Sequence, residues 1–148
     1  MKLSLQSIQN KDAWKGYHLP SFDPAEIAAN TAKKPQWMHF GSGNIFRIFP
    51  AALCQRLIEQ GKMDTGIICC ESYDDEVITK CFRPYDNLTI AVTLNADGKL
   101  DKEVIGSMAD SLTILYDGDK IAEIFKQPSL QMVSFTITEK GYSLRNAK

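Results

Sequence analysis

Gln36-Trp37-Met38-His39-Phe40-Gly41-Ser42-Gly43-Asn44-Ile45-Phe46-Arg47-Ile48-Phe49-Pro50 is a compact, mostly apolar run that breaks at a glycine turn and resumes with a different period. Residues 36–40 read as a buried strand that ends abruptly at Gly41. Beyond Gly43, the positions Ile45, Phe46, Ile48, Phe49, Ala52, Leu53, Leu57 and Ile58 recur at helical spacing, and Gly61 supplies a C-terminal stop. Pro50 has no N–H for the carbonyl four residues back, so the pattern predicts a kink, or a short first turn with a new helix starting near Pro50.

Working outward, residues 65–70 form a second strand, apolar throughout as parallel strands covered on both faces are, and it finishes at Glu71. Ser72-Tyr73-Asp74-Asp75 has capping-box spacing ahead of Val77, Ile78, Cys81 and Phe82, which predicts a short helix closed by Pro84. The period then becomes two: Leu88, Ile90, Val92 and Leu94 alternate with small or polar residues. Asn95-Ala96-Asp97-Gly98 turns the chain into an extended segment through Val104 and Ile105, a hairpin. Residues 117–126 read as a helix and 130–137 as a last strand. Upstream, residues 1–35 are a lead-in with a short strand at Leu3 and Leu5, a turn at 20–23 and a helix over 24–33 capped by Asp23 with Pro24 at its first position. The order predicts an α/β fold, a mostly parallel sheet with an antiparallel hairpin inserted, whose first part is a dinucleotide-binding βαβ unit.

In that context the glycine turn acquires a chemical meaning. Gly41 permits a tight turn, and Gly43, with no Cβ, lets a pyrophosphate approach the backbone while the amides of Asn44 and Ile45 face it. Phe46 occupies the place of the usual third glycine, so a turn that merely redirects the chain is the competing reading. Glu71, 28 residues beyond Gly43, ends the next strand, where an acid accepts hydrogen bonds from an adenosine ribose. It would repel a 2′-phosphate, and none of the next eight residues is Arg or Lys, so NAD is expected over NADP. The alternative is a solvated strand-end acid. S-adenosylmethionine enzymes also pair a glycine turn with a strand-end acid, but they usually carry an acid before the first glycine, where Phe40 stands here. Arg47, one helical turn past the glycines, faces the pyrophosphate, a further domain or solvent.

Composition narrows the classes. The chain has 148 residues, 44% hydrophobic and 24% charged, with 17 Lys and Arg against 18 Asp and Glu. A formal charge of −1 gives no excess for holding a polyanion, so no nucleic-acid partner is expected. No apolar run approaches the roughly 18 residues that span a bilayer, and no charged-then-apolar leader opens the chain. Cys54, Cys69, Cys70 and Cys81 make no Cys-x-x-Cys pair and read as thiols in a reducing cytoplasm. With two histidines, His18 and His39, no metal site is expected, and His39 reads as a hydrogen-bonded core residue.

Three motifs carry a resemblance. His39-Phe40-Gly41-Ser42-Gly43-Asn44-Ile45-Phe46-Arg47, Val104-Ile105-Gly106-Ser107-Met108 and Ser134-Phe135-Thr136-Ile137-Thr138-Glu139-Lys140-Gly141-Tyr142 together resemble the long-chain mannitol dehydrogenase family of polyol dehydrogenases and hexuronate reductases. Arg83-Pro84-Tyr85-Asp86-Asn87 is similar to its uronate branch. The resemblance implies residues 36–148 as part of an NAD-binding Rossmann-like domain, with Gly41, Ser42, Gly43, Asn44, Ile45, Arg47, Glu71, Thr138 and Glu139 at the cofactor. It implies an NAD-dependent oxidoreductase acting on a small sugar acid or polyol, with the D-mannonate/D-fructuronate pair preferred over mannitol, other polyols or tagaturonate. Members run to several hundred residues and carry their catalytic Lys, with nearby Asn and His, in a helical C-terminal domain. The resemblance therefore implies an N-terminal portion holding none of the catalytic residues. The rival from another class is a non-catalytic NAD(H)-binding module.

Overall fold

The computed structural model describes residues 2–137. Helix α1 (Pro24–Lys33) starts as its sequence dictates: the Asp23 carboxylate accepts from the Ala25 amide at 2.9 Å, with Pro24 at the first position. Strand β1 (Trp37–Phe40) runs through the glycines into α2 (Asn44–Ile48) and α3 (Pro50–Glu59). Pro50 opens α3, so the interruption takes the form of one short helix followed by a new one. Then come β2 (Ile67–Glu71), a π-helical turn (Val77–Phe82), the hairpin β3 (Thr89–Leu94) and β4 (Leu100–Ile105), β5 (Met108–Thr113), α4 (Ile114–Phe125) and β6 (Met132–Phe135).

The main sheet has the order β5-β2-β1-β6, every pair parallel, and β3-β4 form a separate antiparallel ribbon. Successive side chains alternate between the two faces of the sheet. Trp37, Ile67 and Cys69 pack with Phe46, Ala52 and Ile58 of α2 and α3, while Met38, Ile68, Cys70 and Leu112 pack with Ile121 and Ile124 of α4. All five residues of β2 are buried for this reason. The result is a Rossmann-like α/β arrangement with a hairpin inserted between β2 and β5. Buried Gln55 ties that hairpin to α3, donating to Glu103 Oε1 at 3.0 Å and to the Val104 carbonyl at 3.1 Å. Among the described residues no helix is long and apolar enough to cross a membrane.

Three local expectations are corrected, and one strand that the sequence reading did not place is added. Leu3 and Leu5 form no strand; they cover Ile8, Trp14, Leu88 and Val104 in a small cluster beneath the hairpin, because two alternating residues are too few for a ladder. Ser72 caps nothing: the ionised Glu71 side chain is the stronger acceptor and takes the amides of Ser72, Tyr73 and Asp74 itself, so helical winding starts only at Asp75. Residues 108–113 form a central-sheet strand, hidden from pattern reading because Asp110 and Ser111 interrupt it; Lys120 meets Asp110 at 2.7 Å, and Ser111 donates to Asn87 Oδ1 at 2.7 Å. Finally, α4 starts at Ile114, capped by Thr113, and departs from helical backbone at Asp117. That carboxylate is held by the Thr113 amide and the Arg83 guanidinium, both at 2.9 Å.

Candidate functional site

From β1 the chain winds outward to β2 and β5, then returns to lay β6 on the other side of β1. The winding reverses at the carboxyl ends of β1 and β6, and in this architecture the crevice at such a switch point takes ligands. Gly41 leaves β1 with φ +110°, its amide donating to the Cys70 carbonyl at 2.9 Å. Gly43 (φ −66°, ψ 179°) is exposed, and a Cβ built on it would meet nothing within 4 Å. The turn thus presents bare backbone where the chain enters α2, whose first position has no side-chain cap.

The predicted residues divide into those that face the crevice and those that build it. Asn44 and Ile45 are exposed beside Gly43. Ser42 is buried, and both its amide, at 3.0 Å, and its hydroxyl donate to Glu71 Oε2. Glu71 Oε1 accepts the amides of Ser72 (2.9 Å), Tyr73 (2.9 Å) and Asp74 (3.3 Å). One carboxylate therefore collects five donors and ties the glycine turn to the loop after β2. Burial pushes Glu71 up, but the bonds from Ser42, Tyr73 and Asp74 outweigh it and hold the group below the usual carboxylate range. Arg47 lies half-buried, its guanidinium 5.6 Å above the Phe82 ring and 2.5 Å from Asn44 Oδ1, with Nε buried and unpartnered among the described residues. Thr138 and Glu139 lie outside the described residues.

Phe46 explains the missing third glycine. Its fully buried ring stacks on His39 at 4.6 Å between centroids and joins the core beneath α2 and α3. The helix–sheet contact that a glycine would make by close approach is made here by an aromatic ring.

Sequence reading missed the crevice's far wall. Residue Thr136, just past β6, packs so tightly against Gly41 that an added Cβ would overlap its hydroxyl and lie 3.0 Å from its carbonyl oxygen. His39 Nε2 sits 3.2 Å from Thr136 Oγ1, His39 Nδ1 2.7 Å from Ser134 Oγ, and Trp37 Nε1 donates to the same Ser134 oxygen at 2.7 Å. The signal was Ser134 and Thr136, two residues apart, whose hydroxyls both reach His39.

His39 is the core residue its position implied, and burial lowers its pKa from 6.5 to about 4. The unfolded chain takes up this proton near pH 6.5 and the folded chain does not. Stability is therefore complete above pH 6.5 and drains as pH falls toward about 4, by about 3 kcal/mol in all. Urea denaturation at stepped pH checks this: the slope should be present in the parent and missing in His39→Gln, and equal slopes in both would refute it.

No protein-family model matches the chain. It is 47% identical to D-mannonate oxidoreductase of Thermotoga maritima over 99% of its own length and 28% of that protein's. To the polyol:NADP oxidoreductase of Gluconobacter oxydans it is 28% identical, over 75% of the chain and 23% of the relative. Its fold superposes on Pseudomonas fluorescens mannitol 2-dehydrogenase, solved as a ternary complex with NAD and D-mannitol, with a TM-score of 0.80 at 24% identity, covering 96% of this chain and 28% of that one. The chain spans about a quarter of the length of the curated relatives it matches. Over the segment it spans, the chain is similar to mannonate oxidoreductases and mannitol 2-dehydrogenases.

Proposed function

We propose that residues 36–148 are part of a domain that holds a nicotinamide dinucleotide for an oxidoreductase interconverting a sugar acid or polyol and its keto form, with D-mannonate and D-fructuronate the preferred pair. The observation that carries this reading is the bare Gly43 backbone at the switch point, braced from behind by Ser42 and Glu71. The dinucleotide, when bound, supplies the two-electron chemistry; this chain's residues bind and orient it. Gly43, Asn44 and Ile45 present backbone to the diphosphate. Arg47, whose Nε has no partner among the described residues, contributes positive charge behind the turn, and Thr138 and Glu139 are proposed as further cofactor contacts on the resemblance alone. No residue of this chain is assigned the proton transfer. The thiols, all free among the described residues, suit a cytoplasmic protein.

Glu71 directs the choice of cofactor. Its charge is fixed at the end of β2, where it favours ribose hydroxyls and disfavours a 2′-phosphate, so NAD is the proposed cofactor. Calorimetric titration tests this: NADH should bind at least about tenfold more tightly than NADPH, and S-adenosylmethionine should not bind. Gly43→Val should abolish NADH binding with the melting temperature kept within about 2 °C, since the added side chain meets only the space reserved for ligand. Binding of S-adenosylmethionine alone, or unchanged NADH affinity in Gly43→Val, would sink the reading. Oxidation of NADH on addition of fructuronate, tagaturonate or fructose to the longer protein carrying this segment then selects the substrate.

A further inference from the structure

We infer that the Thr136 hydroxyl is a hydrogen-bond donor for the cofactor's diphosphate, oriented through a directed chain that runs from Trp37 through Ser134 and His39. This rests on the proposed dinucleotide site and assigns a ligand and a proton direction within it.

The direction follows from counting hydrogens. Indole Nε1 only donates, so Ser134 Oγ must accept from Trp37. That oxygen has a second lone pair, but if it also accepted from His39 Nδ1 the serine hydrogen would have no acceptor among the described residues, so the serine hydrogen is assigned to His39 Nδ1. A neutral imidazole that accepts at Nδ1 carries its hydrogen on Nε2, and that N–H points at Thr136 Oγ1. Thr136 Oγ1 therefore accepts from inside the protein, and its own hydrogen has no acceptor among the described residues. Ring stacking on Phe46 fixes the imidazole plane, and burial keeps the ring neutral, so the direction does not invert near neutral pH.

Placement supplies the ligand. Thr136 is half-buried, its amide bonded to the Phe40 carbonyl at 3.0 Å, and its hydroxyl lies against Gly41 at the start of the phosphate-approach turn. A hydroxyl that has accepted one bond and has its own hydrogen free to donate, beside Gly41 where the turn begins, matches an anionic oxygen acceptor. The diphosphate is the anionic group of a dinucleotide that reaches this turn. Trp37, Ser134 and His39 are positioning residues that touch no ligand.

The test is calorimetric titration of this chain and its variants with NADH, ADP-ribose, which keeps the diphosphate but lacks nicotinamide, and AMP, which lacks the diphosphate linkage. Thr136→Val should weaken NADH and ADP-ribose about tenfold and leave AMP unchanged, while Thr136→Ser should restore both to within about twofold. Ser134→Ala, which frees the imidazole to choose its tautomer, should show the same ligand split to a smaller degree. Three results would overturn the inference: parent affinity for ADP-ribose in Thr136→Val, an equal loss for AMP, or a loss confined to NADH, which would move the contact to the nicotinamide side. Failure of the parent chain to bind NADH and ADP-ribose is a separate outcome that removes the dinucleotide reading itself.

Discussion

Gly41→Ala should destabilise the chain by about 2–5 kcal/mol, a large share of the roughly 5–15 kcal/mol that holds an ordinary domain folded. Two costs add. At φ +110° an L-residue pays backbone strain that glycine does not. The new methyl would also overlap the Thr136 hydroxyl and stand 3.0 Å from its carbonyl oxygen, which belongs to backbone that β6 holds in register. Moving Thr136 would in turn break its 3.0 Å amide bond to Phe40 and its contact with His39. Gly43→Ala is the internal control, with an ordinary φ of −66° and no neighbour within 4 Å, and should be neutral or stabilising by a few tenths of a kcal/mol. Urea denaturation of the pair decides: equal stabilities would show that β1 and β6 give way at Gly41 and that the crevice wall is soft. Two glycines two residues apart thus serve different ends, Gly41 the packing of the protein and Gly43 the approach of a ligand.

That division was not legible in the sequence, because Gly41 and Gly43 look alike until β6 is placed beside β1. What local chemistry decides was legible. Asp23-Pro24 sets the start of α1, Pro50 divides the helix after the glycines, and an unbroken apolar run marks β2 as buried on both faces. What failed were elements set by partners far along the chain. Strand β5 carries Asp110 and Ser111, tolerated because Lys120 and Asn87 meet them from other segments. The capping box at Ser72 lost to a carboxylate one residue earlier, whose burial could not be read locally. The site shows the same limit: Gly41, Gly43 and Glu71 were visible as types at a spacing, whereas Thr136 counts only because the pairing of β6 with β1 brings it against Gly41.

Glu71→Gln should be nearly as costly as Gly41→Ala, although it changes one oxygen to an amide nitrogen. The carboxylate is an acceptor at both ends: Oε2 takes the Ser42 amide and hydroxyl, and Oε1 takes three backbone amides. Whichever way the glutamine amide turns, its NH2 faces donors. Pointed at Ser42 it leaves one buried amide unsatisfied, since the hydroxyl can rotate to accept; pointed at the loop it strands up to three. At about 1–3 kcal/mol for each buried unsatisfied group, the first arrangement is the cheaper, and a loss of about 2–4 kcal/mol is expected once the charge assistance is also gone. The pH dependence separates this role from that of His39. Glu71 is held below the 4.5 of an ordinary glutamate, so its stabilisation is complete above that pH and is lost as pH falls through the lower folded value. His39 acts in the window above, between 6.5 and about 4. A pH series on the parent should show two successive acid losses, of which Glu71→Gln removes the lower and His39→Gln the upper. The same variant tests how the acid takes part in binding. Its oxygens are already filled by the chain, so any bond to a ribose must share or displace one of five donors. If Glu71→Gln remains folded at neutral pH and the NADH preference over NADPH collapses, the charge itself directs that choice; a preference that survives in the folded variant would leave Glu71 only the task of holding the turn.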